Sequence, residues 1–221
     1  MKTLLNEVEV RVLGCLVEKQ ITLPDYYPLS LNALINACNQ KSSRNPVVAY
    51  DEQTVMRALD SLRDKGLAWV FRGADSRVPK YGHVFEKSFE LNQEEIAVLC
   101  VLMLRGAQTP GEIRTRCNPL WNFDSLDEVE AALQRLLERD TGALVVKLPR
   151  QAGTKEARFM HLLAGEVKVD YEEAPPAREA SAPRTRIDEE RIIQLETQVA
   201  TLNQELSDLR QQFLDFKKQF E

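Results

Sequence analysis

The segment best suited to binding chemistry is a run of small polar and basic residues within NACNQKSSRNPV at positions 36–47. Its central members are Lys41, Ser42, Ser43, Arg44 and Asn45. Lys and Arg neutralise phosphates, and Ser and Asn hydrogen-bond to phosphates or base edges. The same composition is also typical of a solvated connection between two helices. The sequence therefore leaves both a nucleic-acid contact loop and a plain connection open.

Two further groups of residues could contact nucleic acid. The first lies on a predicted helix and comprises Gln53, Thr54 and Arg57. The second lies on two predicted β-hairpins and comprises Arg72, Arg77 and Lys80 on the first hairpin, and Lys147, Arg150, Lys155 and Arg158 on the second. Basic hairpin tips suit the phosphate backbone or a minor groove. The helix before each hairpin is rich in carboxylates, which would oppose phosphate binding.

Catalytic and metal-binding chemistry has little support in the sequence. The two histidines, His83 and His161, fall on predicted hairpin strands, where a packing or surface role is the common one. The chain has no Gly-rich phosphate loop, HExxH motif or nucleophile elbow. The cysteines, which form no CxxC pair and are predicted to be buried apolar groups, are Cys15, Cys38, Cys100 and Cys117. We therefore expect a non-enzymatic protein with no cofactor, metal or small-molecule ligand.

The composition of the chain, 221 residues that are 43% hydrophobic and 29% charged, is typical of a soluble globular protein. No apolar run approaches the ~18 residues of a membrane helix. The N-terminus shows no hydrophobic targeting segment, so we expect a cytoplasmic location. Residues 166–221 hold 13 acidic and 8 basic side chains, which accounts for the whole net charge of −5. The first 165 residues are neutral, unlike the strongly basic domains that often bind nucleic acid.

The chain contains an internal repeat. Residues 5–13 (LNEVEVRVL) align with residues 91–99 (LNQEEIAVL), and each half continues with the same order of elements. The predicted helices begin after Asn6, after Ser30 and at Asp51 in the first half, and after Asn92, after Thr109 and at Ser125 in the second. The predicted strands cover residues 67–71 and 81–85, then 144–148 and 157–162.

This order of elements predicts a mainly α fold class with small β-hairpins (α+β). Three helices followed by a hairpin are the order of a winged helix, which is a variant of the helix-turn-helix. We therefore predict two tandem winged-helix domains, at residues 1–88 and 89–165. Residues 166–186 are rich in Glu, Ala and Pro, and this composition predicts a flexible linker.

Residues 187–221 have the pattern of a coiled-coil helix. Their apolar side chains recur at alternating spacings of three and four, and those predicted to mediate dimerisation are Ile192, Leu195, Val199, Leu202, Leu206, Leu209, Phe213 and Phe216. The pattern favours a homodimer or the binding of a partner helix. The alternative is a single amphipathic helix that folds back on the preceding domains.

Three segments are similar to those of a known family. They are LGCLVEK at 13–19, YPLSLNAL at 27–34 and NACNQKS at 36–42. With these segments, residues 4–165 resemble the YceH family of bacterial proteins. The resemblance implies two tandem winged-helix domains, in agreement with the repeat. It implies no activity and no catalytic or ligand-binding residue.

The sequence supports two hypotheses of function. The first is a dimeric DNA-binding protein or transcriptional regulator, in which the third helix of the first repeat faces the groove and the basic hairpin holds phosphate. The second is a protein–protein adaptor that uses the winged helices and the coiled coil as platforms. The fold and the basic hairpins favour DNA, whereas the acidic third helices and the neutral first 165 residues favour the adaptor.

Overall fold

The computed structural model describes residues 4–72, 78–150 and 156–166. Arg77 and Lys155, at the predicted hairpin tips, lie outside the described residues. So do the predicted linker beyond Glu166 and the coiled coil at 187–221, with all of its predicted dimerisation residues.

The described chain contains the two predicted repeats in sequence. The first repeat consists of α1 (Glu7–Thr22), a 3-10 turn (Pro24–Tyr26), β1 (Leu29–Ser30), α2 (Leu31–Cys38), α3 (Glu52–Asp64), β2 (Ala68–Phe71) and β3 (Lys80–His83). A short helix, α4 (Phe85–Ser88), leads to the second repeat. The second repeat consists of α5 (Gln93–Arg105), α6 (Pro110–Cys117), α7 (Leu126–Leu137), β4 (Val145–Lys147) and β5 (Phe159–His161).

The helices start at the caps that the sequence predicts. Oδ1 of Asn6 accepts the N–H of Glu9 at 2.9 Å, and the Glu9 carboxylate accepts the N–H of Asn6 at 2.8 Å. Asn92 and Glu95 repeat this capping box at the start of α5, at 2.9 and 3.1 Å. The remaining predicted helices begin after side chains that accept an N–H from the first turn, namely Ser30, Asp51, Thr109 and Ser125. The predicted helices are confirmed.

The strands form two small antiparallel sheets. The first sheet has the order β1-β3-β2, so that β1, which was not predicted, pairs with β3. In the second repeat, β4 pairs with β5, and Gln108 forms a bridge to Phe159 in the place that β1 occupies in the first repeat. The prediction that the second strand continues to residue 85 is wrong, because Phe85 begins α4 and is buried in the core.

A single hydrophobic core runs through both repeats. Residues 9–17 of α1 and 95–104 of α5 are all buried, because each helix packs on its own repeat and on the other helix. The two helices approach closely at Gly14, where an added Cβ would lie 3.0 Å from Cδ2 of Leu104. The repeats therefore form one compact unit, and the mainly α class with small hairpins is confirmed. In the described ranges, no helix combines the length and the apolar composition needed to cross a membrane.

Candidate nucleic-acid interface

Arg44, at the centre of the predicted contact loop, is buried. Its guanidinium makes two bonds to the carboxylate of Glu18 on α1, at 2.9 and 2.6 Å. It also donates to Oε1 of Gln40 at 2.7 Å and to the carbonyl of Ala37 at 3.1 Å. The side chain is 0% exposed. Arg44 therefore anchors the loop to the core and cannot reach a phosphate outside it.

The ion pair between Arg44 and Glu18 keeps the Glu18 carboxylate charged. Burial alone would raise the pKa of the Glu18 carboxyl, but the bonds from Arg44 and Lys19 outweigh it and hold that pKa below its usual range. A second buried arginine, Arg11, donates to the carbonyls of Cys38 and Pro46 at 3.2 and 2.7 Å. Two guanidinium groups therefore hold the loop from inside the protein.

The outer part of the loop is attached to the second repeat. The N–H of Asn45 donates to the carbonyl of Leu104 at 2.9 Å, and Oγ of Ser43 accepts from Arg105 at 2.7 Å. Of the five predicted contact residues, Lys41 and Ser42 keep exposed side chains that make no hydrogen bond or ion pair to the described chain. The loop is therefore chiefly a connector between the repeats, with one exposed lysine.

On α3, the predicted residues have different environments. Gln53 and Arg57 are exposed, whereas Thr54 is half-buried and its N–H donates to Oδ1 of the Asp51 cap at 2.8 Å. Arg57 forms no ion pair within 4 Å in the described ranges, although its charge contributes, after the hydrogen bonds from Thr54, to lowering the pKa of the Asp51 carboxyl. The helix also exposes carboxylates at positions 52, 60 and 64. The exposed surface of α3 is therefore mixed in charge, with its unpaired cation in the N-terminal half.

Lys80 and Arg158 occupy equivalent positions in the two hairpins. Equivalent backbone hydrogen bonds join the two strands at the base of each hairpin. In the first, the N–H of Val84 donates to the carbonyl of Leu67 at 3.0 Å, and in the second, the N–H of Leu162 donates to the carbonyl of Leu144 at 2.7 Å. Each basic residue lies four positions before that donor on the second strand. The ion pairing of Lys80 and Arg158 can therefore be compared position for position.

Arg158 has a carboxylate beside it, that of Glu112, and Lys80 forms no ion pair in the described chain. Arg158 donates to Glu112 at 2.8 Å and to the carbonyl of Ala107 at 2.9 Å. Glu112 is the third residue of α6, where it closes a capping box, whereas the third residue of α2 is Ala33. Lys80 is exposed and has no ion pair in the part of the chain that the structure describes. The first hairpin therefore presents a cation that the second uses internally.

The other described hairpin cations are on the surface. Arg72 is exposed and forms no ion pair with the described residues. Nζ of Lys147 lies 5.9 Å from the ring centroid of Phe159, which is a cation–π contact, and Arg150 is exposed.

The third helix of the second repeat is poorly suited to phosphate. Its Arg135 bonds to Glu94 and, at 3.3 Å, to Glu95, while Arg139 lies 3.7 Å from Glu95 and donates to the carbonyl of Phe89. The other charges that α7 and its C-terminal cap expose are carboxylates at positions 127, 128, 130 and 138. As far as the structure describes it, this surface is acidic.

Sequence reasoning missed two exposed aromatic residues on the first hairpin. Trp69 and Phe71 are 36% and 51% exposed and lie on the same face of β2. The indole of Trp69 covers Gly82 on the opposite strand, where an added Cβ would lie 2.4 Å from Cζ2. The Nε1–H of Trp69 donates to the carbonyl of His83 at 3.2 Å. The available signal was a tryptophan paired with a glycine across a predicted hairpin.

The histidines and cysteines are packing residues. Burial lowers the pKa of His83 and of His161 to about 4, so both imidazoles are neutral at pH 7. All four cysteines are buried, as predicted, and burial raises the pKa of the Cys117 thiol to about 12.

The chain is similar to known proteins over most of its length. Residues 5–154 match a family model described as "Protein of unknown function, DUF480". The chain is 56% identical over 198 residues to the UPF0502 protein of Opitutus terrae, covering 90% of this chain and 83% of the relative. It is 52% identical over 202 residues to a UPF0502 protein of Koribacter versatilis, covering 91% and 92%, and 49% identical over 206 residues to one of Vibrio parahaemolyticus, covering 91% and 93%. The predicted resemblance to YceH, which is a member of the UPF0502 family, is confirmed.

Proposed function

The chain belongs to the DUF480 (UPF0502) family, and we propose that it binds duplex DNA through its first repeat and catalyses no reaction. We infer that each repeat is a winged-helix unit, since each has three helices followed by a hairpin, with an extra strand segment paired to the hairpin's second strand. In this fold the third helix enters the major groove and the hairpin contacts the backbone.

The observation that carries the proposal is the set of exposed basic side chains that form no ion pair within 4 Å on the first repeat. Within the described residues these are Lys41, Arg57, Arg72 and Lys80. A cation with no internal partner can release a counterion from DNA without first breaking a protein ion pair. In the second repeat, the arginines at positions 116, 135, 139 and 158 are bound to carboxylates, and the exposed cations without an ion pair in the described chain are Lys147 and Arg150 on the hairpin, together with Arg114, which binds backbone carbonyls.

The proposal assigns different roles to the two structural elements. Gln53 and Arg57 on the N-terminal half of α3 would face base edges, while Arg72 and Lys80 would hold phosphates beside the groove. Arg44 has no part in the interface, because its guanidinium is inside the protein. The second repeat supports the first through the shared core.

The test is a salt series of binding to a fluorescently labelled random duplex, followed by anisotropy with the full-length chain. Affinity should fall steeply with salt, with log K declining by about 0.9 per phosphate contact. Arg57→Gln and Arg72→Gln should each weaken binding, and Arg72→Gln, at a proposed phosphate contact, should also reduce that slope. Lys87→Gln is the matched control, because Lys87 is an exposed cation on α4, outside the proposed interface.

Two outcomes would contradict the proposal. One is the absence of binding at low salt with micromolar protein. The other is an equal loss of affinity in Lys87→Gln and Arg57→Gln, which would indicate attraction by total charge and not by the first repeat.

We further propose that the heptads at 187–221 join two chains into a dimer, which would place two first repeats on one duplex. Sedimentation should show that the intact chain is a dimer and that a chain ending before Arg186 is a monomer. An intact chain that sediments as a monomer would rule this out.

The adaptor remains a second candidate, and one observation favours it. Trp69 and Phe71 place exposed aromatic surface on the first hairpin, and aromatic residues are enriched at protein–protein interfaces.

A further inference from the structure

We propose that the outer face of the β1-β3-β2 sheet docks an acidic, amphipathic segment of a protein partner. This surface, the aromatic face, consists of Trp69 and Phe71 on β2 together with Lys80 on β3. It goes beyond DNA binding and does not depend on it, because the aromatic side chains carry no charge that a phosphate would contact.

The register of the sheet brings these side chains together. Phe71 lies opposite Lys80, and Trp69 lies opposite Gly82 two residues further along the same strands. Paired residues of an antiparallel sheet point to the same side, as do residues two apart on one strand. The aromatic face is therefore one continuous surface, with a ring at both outward-facing positions of β2.

The aromatic face is also preorganised. The indole of Trp69 rests on Gly82 and is held by its hydrogen bond to the carbonyl of His83, 3.2 Å long. A partner that contacts this ring therefore does not have to order it, which reduces the entropic cost of binding. Exposed aromatic side chains of this kind are the residues that most often dominate binding energy at interfaces.

The second repeat lacks this feature. The positions equivalent to Trp69 and Gly82 are Val146 and Met160, which pair with each other and are half-buried. The fold alone thus does not require an exposed tryptophan on this hairpin. The aromatic face is a property of the first repeat.

Charge decides which occupant fits. Lys80 makes the Phe71 end of the face basic, whereas the Trp69 end is paired with an uncharged glycine. An amphipathic segment with apolar residues over the rings and carboxylates at the basic end matches both ends. A second copy of the same face would bring like charges together, which is unfavourable. A nucleic-acid strand would need cations along its whole path, and the described face has them at one end.

The test uses the full-length protein labelled with ¹⁵N, in which Trp69 and Trp121 are the two tryptophans. The probe is a short synthetic peptide of leucine and glutamate in an amphipathic pattern. Two control probes are used. One is the same peptide with lysine in place of every glutamate, and the other is single-stranded oligothymidine. The indole N–H signal of Trp69 should shift and saturate with the acidic peptide, while that of Trp121 should not move. Phe71→Ser and Lys80→Glu should each weaken this binding about tenfold.

Four outcomes would overturn the proposal. They are an unchanged Trp69 signal, equal shifts of both indoles, equal binding of the lysine peptide, and a response to oligothymidine alone. A Trp69 shift on concentrating the protein without peptide would instead identify a second copy as the occupant, which also overturns it.

Duplex DNA separates this proposal from the DNA-binding function. Trp69→Phe and Phe71→Ser keep every cation, so they should leave duplex affinity unchanged while reducing peptide affinity. Failure of duplex binding in the unmodified protein would reject the DNA proposal without affecting the peptide result.

Discussion

The two repeats use the same internal framework but differ at their surfaces. In the first, the capping glutamate Glu9 is bound by Lys65 from the end of α3, at 2.5 Å, and in the second, Glu95 is bound by Arg135 and Arg139 from α7 and its end. Each repeat also buries a histidine at the end of the second hairpin strand. The surface cations differ, because the second repeat pairs Arg158 on its hairpin with Glu112, whereas Lys80 at the equivalent position of the first repeat forms no ion pair in the described chain.

This difference shows how a duplicated unit can divide its work. Glu112 at the third position of α6 binds Arg158, whereas Ala33 at that position of α2 leaves Lys80 exposed. The residue at the third position of the helix thus distinguishes a hairpin cation that is bound within the protein from one that is exposed. In the proposed DNA-binding role, the second copy would support the first through the core that they share.

The largest expected effect is on the free energy of unfolding, and it tests whether the loop at 36–47 is anchored to the core by Arg44. Arg44→Met should destabilise the protein by about 3–5 kcal/mol, because it leaves the partly buried Glu18 carboxylate with Lys19 alone and removes the donor to Gln40 and to the carbonyl of Ala37. Denaturant unfolding followed by circular dichroism measures the change. Lys41→Met, on the same loop but exposed, should change stability by less than about 0.5 kcal/mol.

A second substitution identifies the cause. Adding Glu18→Leu to Arg44→Met removes the partly buried carboxylate that has lost Arg44 and should recover part of the lost stability. If Arg44→Met is neutral, or if the double variant is additive, the loop is not anchored by this pair and the contact-loop hypothesis regains its central residue.

Acid should destabilise both repeats through their buried histidines. The folded pKa of each is about 4, against an ordinary 6.5, so the unfolded chain binds the proton more tightly. The stability that each neutral imidazole provides is complete above pH 6.5 and is lost as the pH falls from 6.5 towards 4. At pH 5 the loss should be on the order of 2 kcal/mol per histidine.

Urea unfolding at pH 7 and pH 5 measures this loss. Carboxylates such as Glu9 and Glu18 also titrate, so the informative quantity is the difference between the unmodified protein and a variant. His83→Gln and His161→Gln should each reduce the pH dependence by a similar amount. A reduction in one variant alone would show that the two repeats are not equivalent at this position.

Local signals explain what the sequence predicts well. The caps at Asn6 and Asn92 act through bonds that span three residues, so the pattern of residue types is sufficient to place the helices. Arg44 is different, because its burial depends on Glu18, which is 26 residues away. The exposure of Trp69 depends on which face of the sheet the core covers. Such long-range pairings cannot be read from composition or spacing.

The capping glutamates should give equal and smaller effects in the two repeats. Glu9→Gln and Glu95→Gln each weaken a capping box and an ion pair, and each should cost about 1–2 kcal/mol in unfolding free energy. Burial raises the pKa of the Glu9 carboxyl, but the bonds from Lys65, Ser61 and Asn6 outweigh it and keep it charged. Thermal or urea unfolding at pH 7 checks both variants. Unequal costs would show that the shared framework is not energetically equivalent.

The smallest expected effect is the most direct test of the surface difference. Ala33→Glu places in α2 the carboxylate that α6 has at Glu112, so it should pair with Lys80 as Glu112 pairs with Arg158. Duplex affinity should fall several-fold, with a lower salt slope, while an exposed ion pair adds at most about 1 kcal/mol of stability. Ala33→Gln is the control and should bind as the unmodified protein does. Since Arg158 is already paired, Glu112→Ala should free it and leave duplex affinity unchanged or slightly raised. An Ala33→Glu variant that binds duplex as well as Ala33→Gln would show that Lys80 does not contact phosphate, and the first hairpin would lose its place in the proposed interface.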